Sequence, residues 1–248
     1  MNLGTDEPGQ ARAEPLRPGL IAGLMPTSLV DFPGRIAATL FLSGCNFRCP
    51  FCHNPELVVG PADEVLKLDD LGEWLGKRKR LIEGVCITGG EPCVSLPALT
   101  KICQELRAQG LAVKLDSNGS LPEAIDKLLA QSLVHFVSLD IKTAPEDYPR
   151  ATGVNADPDA VERSVRLVRE AGVPHELRTT IVPRLHSVET IRRLGQWVGG
   201  ESTYCLQAFR PEKTLDPEWT SEPPPTQELL AEMAAVAGEY FPEVIVRA

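Results

Sequence analysis

Three cysteines fall on one short stretch, Gly44-Cys45-Asn46-Phe47-Arg48-Cys49-Pro50-Phe51-Cys52, with the spacing C-x3-C-x2-C. Thiolates are the ligands that iron–sulfur clusters require, and a tight loop lets three of them point inward together. A cube has four irons, so three cysteines leave one iron open to a ligand the protein does not supply. The plainer alternative is a structural zinc site, which wants four protein ligands. His53 directly follows Cys52 and would strain a tetrahedron built on so short a loop, and no second C-x2-C pair occurs. The ligand arithmetic favours one [4Fe–4S] cluster on Cys45, Cys49 and Cys52.

These residues need elements to position them. Short β-branched or apolar runs at Ala37–Ser43, Gly84–Thr88, Ala112–Asp116, Val134–Ile141, Glu176–Val182 and Thr203–Phe209 read as strands. Helical patterns lie between and after them, at 69–82, 97–109, 121–132, 157–171, 187–198 and 226–240. Asp69 and Asp157 sit at helix starts, while Gly110 and Gly172 sit just past helix ends. Strand–helix alternation at this spacing implies right-handed βαβ units and a parallel sheet. Six units are too few for a closed eight-stranded barrel, so the fold class is α/β, a partial (β/α)6 open TIM-like barrel. In parallel barrels the chemistry collects at the carboxyl ends of the strands. The polar words fall there: Cys45 after the first strand, Gly89-Gly90-Glu91 after the second, Asp116-Ser117-Asn118 at the third, Asp140 and Lys142 at the fourth. Segment 211–225, with Pro211, Pro217 and Pro223-Pro224-Pro225, reads as a loop across the end of the sheet.

Composition bounds the rest. The chain has 248 residues, 43% hydrophobic, with a formal charge of −9, a field that repels nucleic-acid backbones and anionic membranes. The basic run Lys77-Arg78-Lys79-Arg80 reads as a solvated helix end. No apolar run is long enough to span a bilayer. Residues 1–19 read as a flexible tail, and 20–248 as a single domain. Seven cysteines without a secretory signal argue for a reducing, cytoplasmic setting.

With these residues in view, C-x3-C-x-aromatic-C after a first strand, with Phe51 as the aromatic, resembles the radical S-adenosylmethionine superfamily. Gly89-Gly90-Glu91-Pro92 is similar to its G-G-E-P motif. The resemblance runs from about residue 20 to residue 210. It implies that S-adenosylmethionine chelates the open iron, that Glu91 meets its ammonium, and that the two glycines let the backbone approach closely. One electron from the cluster would then yield methionine and a 5′-deoxyadenosyl radical.

Val30-Asp31-Phe32-Pro33-Gly34-Arg35 and Cys52-His53-Asn54-Pro55-Glu56 narrow the likeness to activases of glycyl-radical enzymes. Leu139-Asp140-Ile141-Lys142 resembles their D-x-K strand, where Lys142 would pair with the cofactor carboxylate. Asp116-Ser117-Asn118-Gly119 resembles their D-[ST]-N-G strand end, which places Ser117 and Asn118 in the cofactor pocket. Asp116 and Asp140 would flank a monovalent cation, as in some members. The segments Ser28–Arg35 and Leu206-Gln207-Ala208-Phe209-Arg210-Pro211 are most similar to activating proteins of anaerobic ribonucleoside-triphosphate reductases. The partners implied are such a glycyl-radical enzyme and a one-electron donor such as flavodoxin or ferredoxin. Activases often carry a cysteine-rich insertion; only Cys86 lies between Cys52 and Gly89 here, so one cluster is expected.

Individual residues divide as follows. Asp140 and Lys142 alternate with Leu139 and Ile141, so both point to the barrel interior, where unpaired charge is costly. Glu176 and Arg178 share a face in the same way, and Arg178 resembles a cofactor-contacting arginine. His53 stands between cofactor pocket and loop packing. Cys86, Cys103 and Cys205 read as small buried hydrophobes, Cys93 as a thiol beside the motif, and His135, His175 and His186 as packing residues. Asp31 and Arg35 belong either to a contact with the partner's glycine loop or to a structural turn. Gln207 and Arg210 carry weaker signals. Two rival readings are a small-molecule radical enzyme of the 7-deazaguanine-forming kind and a non-catalytic iron–sulfur protein.

Overall fold

The computed structural model describes residues 19–58, 63–78 and 80–248. Its framework is one eight-stranded sheet with its strands in sequence order: β1 (Ile21–Ser28), β2 (Ala37–Leu42), β3 (Gly84–Gly89), β4 (Ala112–Ser117), β5 (Phe136–Asp140), β6 (His175–Ile181), β7 (Thr203–Ala208) and β8 (Glu243–Arg247). From β2 to β8 every neighbouring pair is parallel, and β1 alone runs antiparallel, against β2. The helices include α1 (Pro55–Val58), α2 (Leu68–Gly76), α3 (Leu96–Ala108), α4 (Pro122–Ala130), α5 (Tyr148–Thr152), α6 (Pro158–Glu170), α7 (Val188–Val198) and α8 (Gln227–Ala237).

The six expected strands and six expected helices are present within a few residues, apart from the early end of α2. The sheet adds two strands that local pattern did not announce. β1 carries Gly23 and Pro26, which dilute a strand signal, and a proline is tolerated there because the strand is at an edge. β8 is five residues long and follows the last helix as an exposed edge. α2 stops at Gly76 instead of continuing to residue 82, and its N-cap is Lys67, so Asp69 sits in the first turn without capping it. Asp157 does cap α6, accepting from the Asp159 amide. Gly110 and Gly172 take positive φ just beyond their helices.

Apolar side chains of β2–β7 and the inner faces of the helices form one large core, whose fully buried members include Leu40, Ile87, Leu99 and Leu106. A second cluster, Phe47, Cys49, Phe51, Ala151, Val182, Leu185, Phe209 and Trp219, surrounds the cysteine loop. Trp219 comes from a 3-10 turn, Pro217–Ser221, within the expected loop across the sheet end. Its ring lies 6.1 Å from Phe51, and the Asp216 amide donates to the Pro50 carbonyl at 3.0 Å.

In the basic run, Arg78 stacks over Trp74 at 4.2 Å and Lys77 pairs with Glu73 in solvent; Lys79 lies outside the described residues. The expected tail, 1–19, lies outside them except for Gly19. No described helix is long and apolar enough to cross a membrane.

The end of β3 meets the start of the cysteine loop backbone to backbone. Gly90 N donates to Leu42 O at 2.9 Å and Glu91 N to Gly44 O at 2.7 Å. A Cβ on Gly90 would overlap the Gly44 carbonyl, and one on Gly89, whose φ is 126°, would overlap the Leu42 backbone. Gly90→Ala should therefore destabilise the fold by about 2 kcal/mol or more, through forced backbone displacement. Gly76→Ala, where a Cβ meets nothing, should change stability by less than about 0.5 kcal/mol. Urea unfolding of the two variants beside the parent chain measures both.

Candidate functional site

At the carboxyl ends of β2–β6 the half-barrel opens into a cavity of about 270 Å³. Every site residue expected from sequence lines it: Cys45, Cys49, Phe51, Cys52 and His53 from the loop after β2; Gly89, Gly90 and Glu91 from β3; Asp116, Ser117 and Asn118 from β4; and Asp140, Lys142 and Arg178 from β5 and β6. Asp31 and Gln207 line it as well.

The cysteine loop is held by the Arg48 side chain, by one bond within its backbone and by one to α5. Arg48 Nη1 donates to the carbonyls of Cys45 (2.8 Å) and Phe47 (2.7 Å), the Cys52 amide donates to Cys49 O (3.0 Å), and the Arg48 amide donates to Thr152 O (2.7 Å). All three thiols are free. Among the described residues no three His, Cys, Asp or Glu side chains converge closely enough to hold a single ion. A cube takes one thiolate per iron, so its ligands need only share a wall, as these three do. Burial raises their pKa values, Cys45 to about 12 with the Glu91 charge adding to it, and Cys49 to about 11; Cys52 moves the same way, and the Lys142 charge opposes each shift. Such thiols ionise when a metal group binds and supplies the positive charge.

Glu91 is buried at 1% exposure, and burial raises its pKa against three hydrogen bonds that favour the carboxylate. Oε1 accepts from the Cys93 amide (3.0 Å) and Ser117 Oγ (2.9 Å), and Oε2 accepts from the Asn118 amide (2.6 Å). The side chain thus ties the end of β3 to the end of β4 before any ligand arrives. With about four acceptor positions on a carboxylate, one remains for a donor in the cavity.

A row of alternating charges crosses the floor. Lys114 Nζ bonds Asp116 Oδ1; Arg178 Nη2 bonds Asp116 Oδ2 at 3.2 Å; Arg178 Nε bonds Asp140 Oδ1 at 2.7 Å; Lys142 Nζ bonds Asp140 Oδ2 at 3.0 Å. Both cationic neighbours hold the Asp140 carboxyl far below the usual range, despite desolvation. The monovalent cation expected between Asp116 and Asp140 does not fit this arrangement. The Arg178 guanidinium bridges the two carboxylates, and all four oxygens already face cationic donors.

Several contributors were not legible as site residues. Lys114 alternates with Asp116 on β4 just as Lys142 does with Asp140, a signal present in the sequence. His186, expected only to pack, donates from Nε2 to Lys142 O at 2.9 Å and accepts the Val182 amide at Nδ1 (3.0 Å). Burial lowers its pKa to about 4, so it stays neutral. Tyr148 Oη accepts the Lys142 amide at 3.2 Å, so the backbone of Lys142 is held at both ends. Cys86, expected in packing, lines the cavity with Sγ 3.7 Å from Asp116 Oδ1 and 3.8 Å from Lys114 Nζ. Cys93 is buried behind Glu91, with its thiol on Ser117 Oγ at 3.7 Å.

His53 does two things at once, lining the cavity and stacking on Phe209 with centroids 5.4 Å apart. Asp31 accepts from Thr39 Oγ1 at 2.6 Å, and its amide donates to Ser28 Oγ, so it is both a turn residue and a wall residue. Arg35 packs over Phe32, Arg210 reaches the carbonyl of Ala248, and Glu176 pairs with Arg247; none of the three lines the cavity. Cys103 and Cys205 are buried in packing, while His135 accepts the Val113 amide and His175 bonds Ser202 Oγ, both away from the cavity.

Residues 39–197 match the Radical SAM superfamily. A Methanocaldococcus jannaschii protein assigned by name to the glycyl-radical enzyme activating enzymes is 28% identical over 92% of this chain and 95% of its own length. A pyruvate formate-lyase-activating enzyme of Clostridium pasteurianum is 30% identical over 71% of this chain and 74% of its own. A 7-carboxy-7-deazaguanine synthase of Hyperthermus butylicus is 31% identical over 61% and 70%. In fold, the chain resembles Streptococcus suis SuiB bound to S-adenosylmethionine, with a TM-score of 0.64 and 15% identity over 84% of this chain; it spans about half (52%) of that larger protein.

Two expected outcomes follow from the geometry. Glu91→Gln places an amide NH2 against donors and should cost about 2 kcal/mol of stability besides weakening cofactor binding; unchanged urea midpoints would remove its cross-tie role. Replacing Cys45, Cys49 or Cys52 singly by Ala should lower the iron retained after anaerobic reconstitution from about four atoms per chain to a small residue, as read by colorimetric iron assay. The same change at Cys103 should leave it intact.

Proposed function

The chain belongs to the Radical SAM superfamily, an enzyme group built on a [4Fe–4S] cluster and S-adenosylmethionine, and from that membership we propose that it is the activase of a glycyl-radical enzyme. The observation that carries this reading is the end-to-end likeness to the Methanocaldococcus jannaschii relative, which covers 92% of one chain and 95% of the other. The partner we assign is an anaerobic ribonucleoside-triphosphate reductase, with flavodoxin or ferredoxin as electron donor.

In this reading Cys45, Cys49 and Cys52 hold the cluster. When bound, the cluster supplies the electron that splits S-adenosylmethionine into methionine and the 5′-deoxyadenosyl radical, which takes a hydrogen atom from a glycine Cα of the partner. The remaining work belongs to the chain. The second glycine of the pair, Gly90, lets the end of β3 lie directly against the Gly44 carbonyl at the start of the cysteine loop, which fixes Glu91 beside the thiols. Glu91 offers its spare lone pair to an ammonium, while Lys142, fixed at its own amide and carbonyl, and Arg178 present positive charge to a carboxylate. Ser117 and Asn118 stand next to Glu91 at the rim, Phe51 and His53 wall the side nearest the cysteines, and Phe41 and Phe47 help to exclude water. No residue is needed as a general base, because hydrogen moves with its electron.

The likeness to a 7-carboxy-7-deazaguanine synthase favours a second reading in which the substrate is a small molecule. Anaerobic incubation of the reduced, reconstituted protein with S-adenosylmethionine and the candidate reductase separates the two. Activation should give 5′-deoxyadenosine together with a glycyl electron-paramagnetic-resonance doublet on the partner, and the doublet should vanish when the partner's radical-site glycine is changed to alanine. Product formation that needs a small heterocycle and ignores the partner would overturn the activase reading.

A further inference from the structure

We infer that Arg178 is the built-in cation of this site: its guanidinium takes the place of a monovalent ion between Asp116 and Asp140, so the enzyme binds S-adenosylmethionine without K+ or Na+. The argument begins with register. Asp140 and Arg178 are directly paired across β5 and β6, so Nε meets Oδ1 along the rung at 2.7 Å. Asp116 lies on β4, level with Ser138 of β5 and two rungs lower than Asp140, and the longer arm of the guanidinium reaches it at 3.2 Å. One planar group therefore spans two carboxylates on different strands, a task for which a lysine ammonium lacks the fork.

The occupancy of the carboxylate oxygens leaves no place for a further ion. Lys114, Arg178 and Lys142 supply three positive charges against the two carboxylates of Asp116 and Asp140. Each of the four carboxylate oxygens already has one of these cations as its donor, so an ion between the two side chains would have to displace one of them and leave its charge uncompensated. Nη1 of Arg178 makes no hydrogen bond among the described residues while the side chain lines the cavity, so it is the part of the guanidinium left for an anionic ligand. A covalently attached cation also cannot be lost by dilution, whereas a monovalent ion held by two carboxylates exchanges with solvent.

The test needs only the superfamily's cofactor and not the proposed partner, so its failure is separate from that of the activase reading. Cluster-loaded protein is exchanged into tetramethylammonium chloride, and S-adenosylmethionine affinity is measured by titration calorimetry before and after replacement by KCl or NaCl at equal ionic strength. The parent chain should change by less than about twofold. Arg178→Ala opens the two carboxylates, so its affinity in tetramethylammonium should fall about tenfold or more and recover in part with K+, Na+ or guanidinium. A parent affinity that rises tenfold with either ion, or an Arg178→Ala protein that binds equally well in every salt, overturns the inference. Should that variant fail to fold, the sodium-23 line width of the parent protein decides the matter: no saturable broadening is expected, and broadening that K+ displaces overturns it.

Discussion

Carboxylates facing the inside of a half-barrel must each be matched by a donor, because an unpaired charge in an enclosed space costs several kcal/mol. That requirement organises this molecule. Asp31 accepts from Thr39; Glu91 from Ser117 and the amides of Cys93 and Asn118; Asp116 from Lys114 and Arg178; Asp140 from Arg178 and Lys142; Glu176 from Ser138 and Arg247. Most of these contacts join different strands or a strand to a loop; Glu91–Cys93, Lys114–Asp116 and Asp140–Lys142 are two residues apart in one segment. The polar interior therefore acts as cross-bracing that fixes strand ends relative to one another, and the cavity is the space those braced ends enclose.

A second constraint is the approach of backbones at Gly89 and Gly90. The end of β3 and the start of the cysteine loop exchange hydrogen bonds at a separation that admits no side chain. Because Glu91 follows at once, the same turn that seats the loop also directs its carboxylate across to β4. The cysteine loop is then sealed from the other side by Phe209 and Trp219, which arrive from the far end of the chain. The thiols stand between two well-packed surfaces, and their raised pKa values express that burial.

Much of the site was readable because its residues announce themselves in pairs and triplets. Alternation of Asp140 with Lys142 on a strand has only one interpretation inside a barrel, and the same logic applied to Lys114 and Asp116 would have added a residue that went unnoticed. His186 could not be found this way: its partner is the carbonyl of Lys142, 44 residues away, and backbone acceptors leave no trace in residue type. Nor could β1 and β8. Both are edge strands, one broken by Gly23 and Pro26 and one only five residues long, and each owes its conformation to the strand it lies against.

Sequence alone determined the cysteine spacing, the glycine pair before Glu91, the strand–helix alternation and hence the parallel half-barrel, since these depend on residue type and local period. What only the tertiary structure decided is how the charges are shared. Whether Asp116 and Asp140 hold an ion or a guanidinium depends on the reach of Arg178 from β6 across β5 to β4, and that reach is set by strand register. Likewise, the three bonds that commit most of Glu91 to the protein itself come from groups 2 to 27 residues away in sequence. Residue type says which groups carry charge; only the packed sheet says which of them meet.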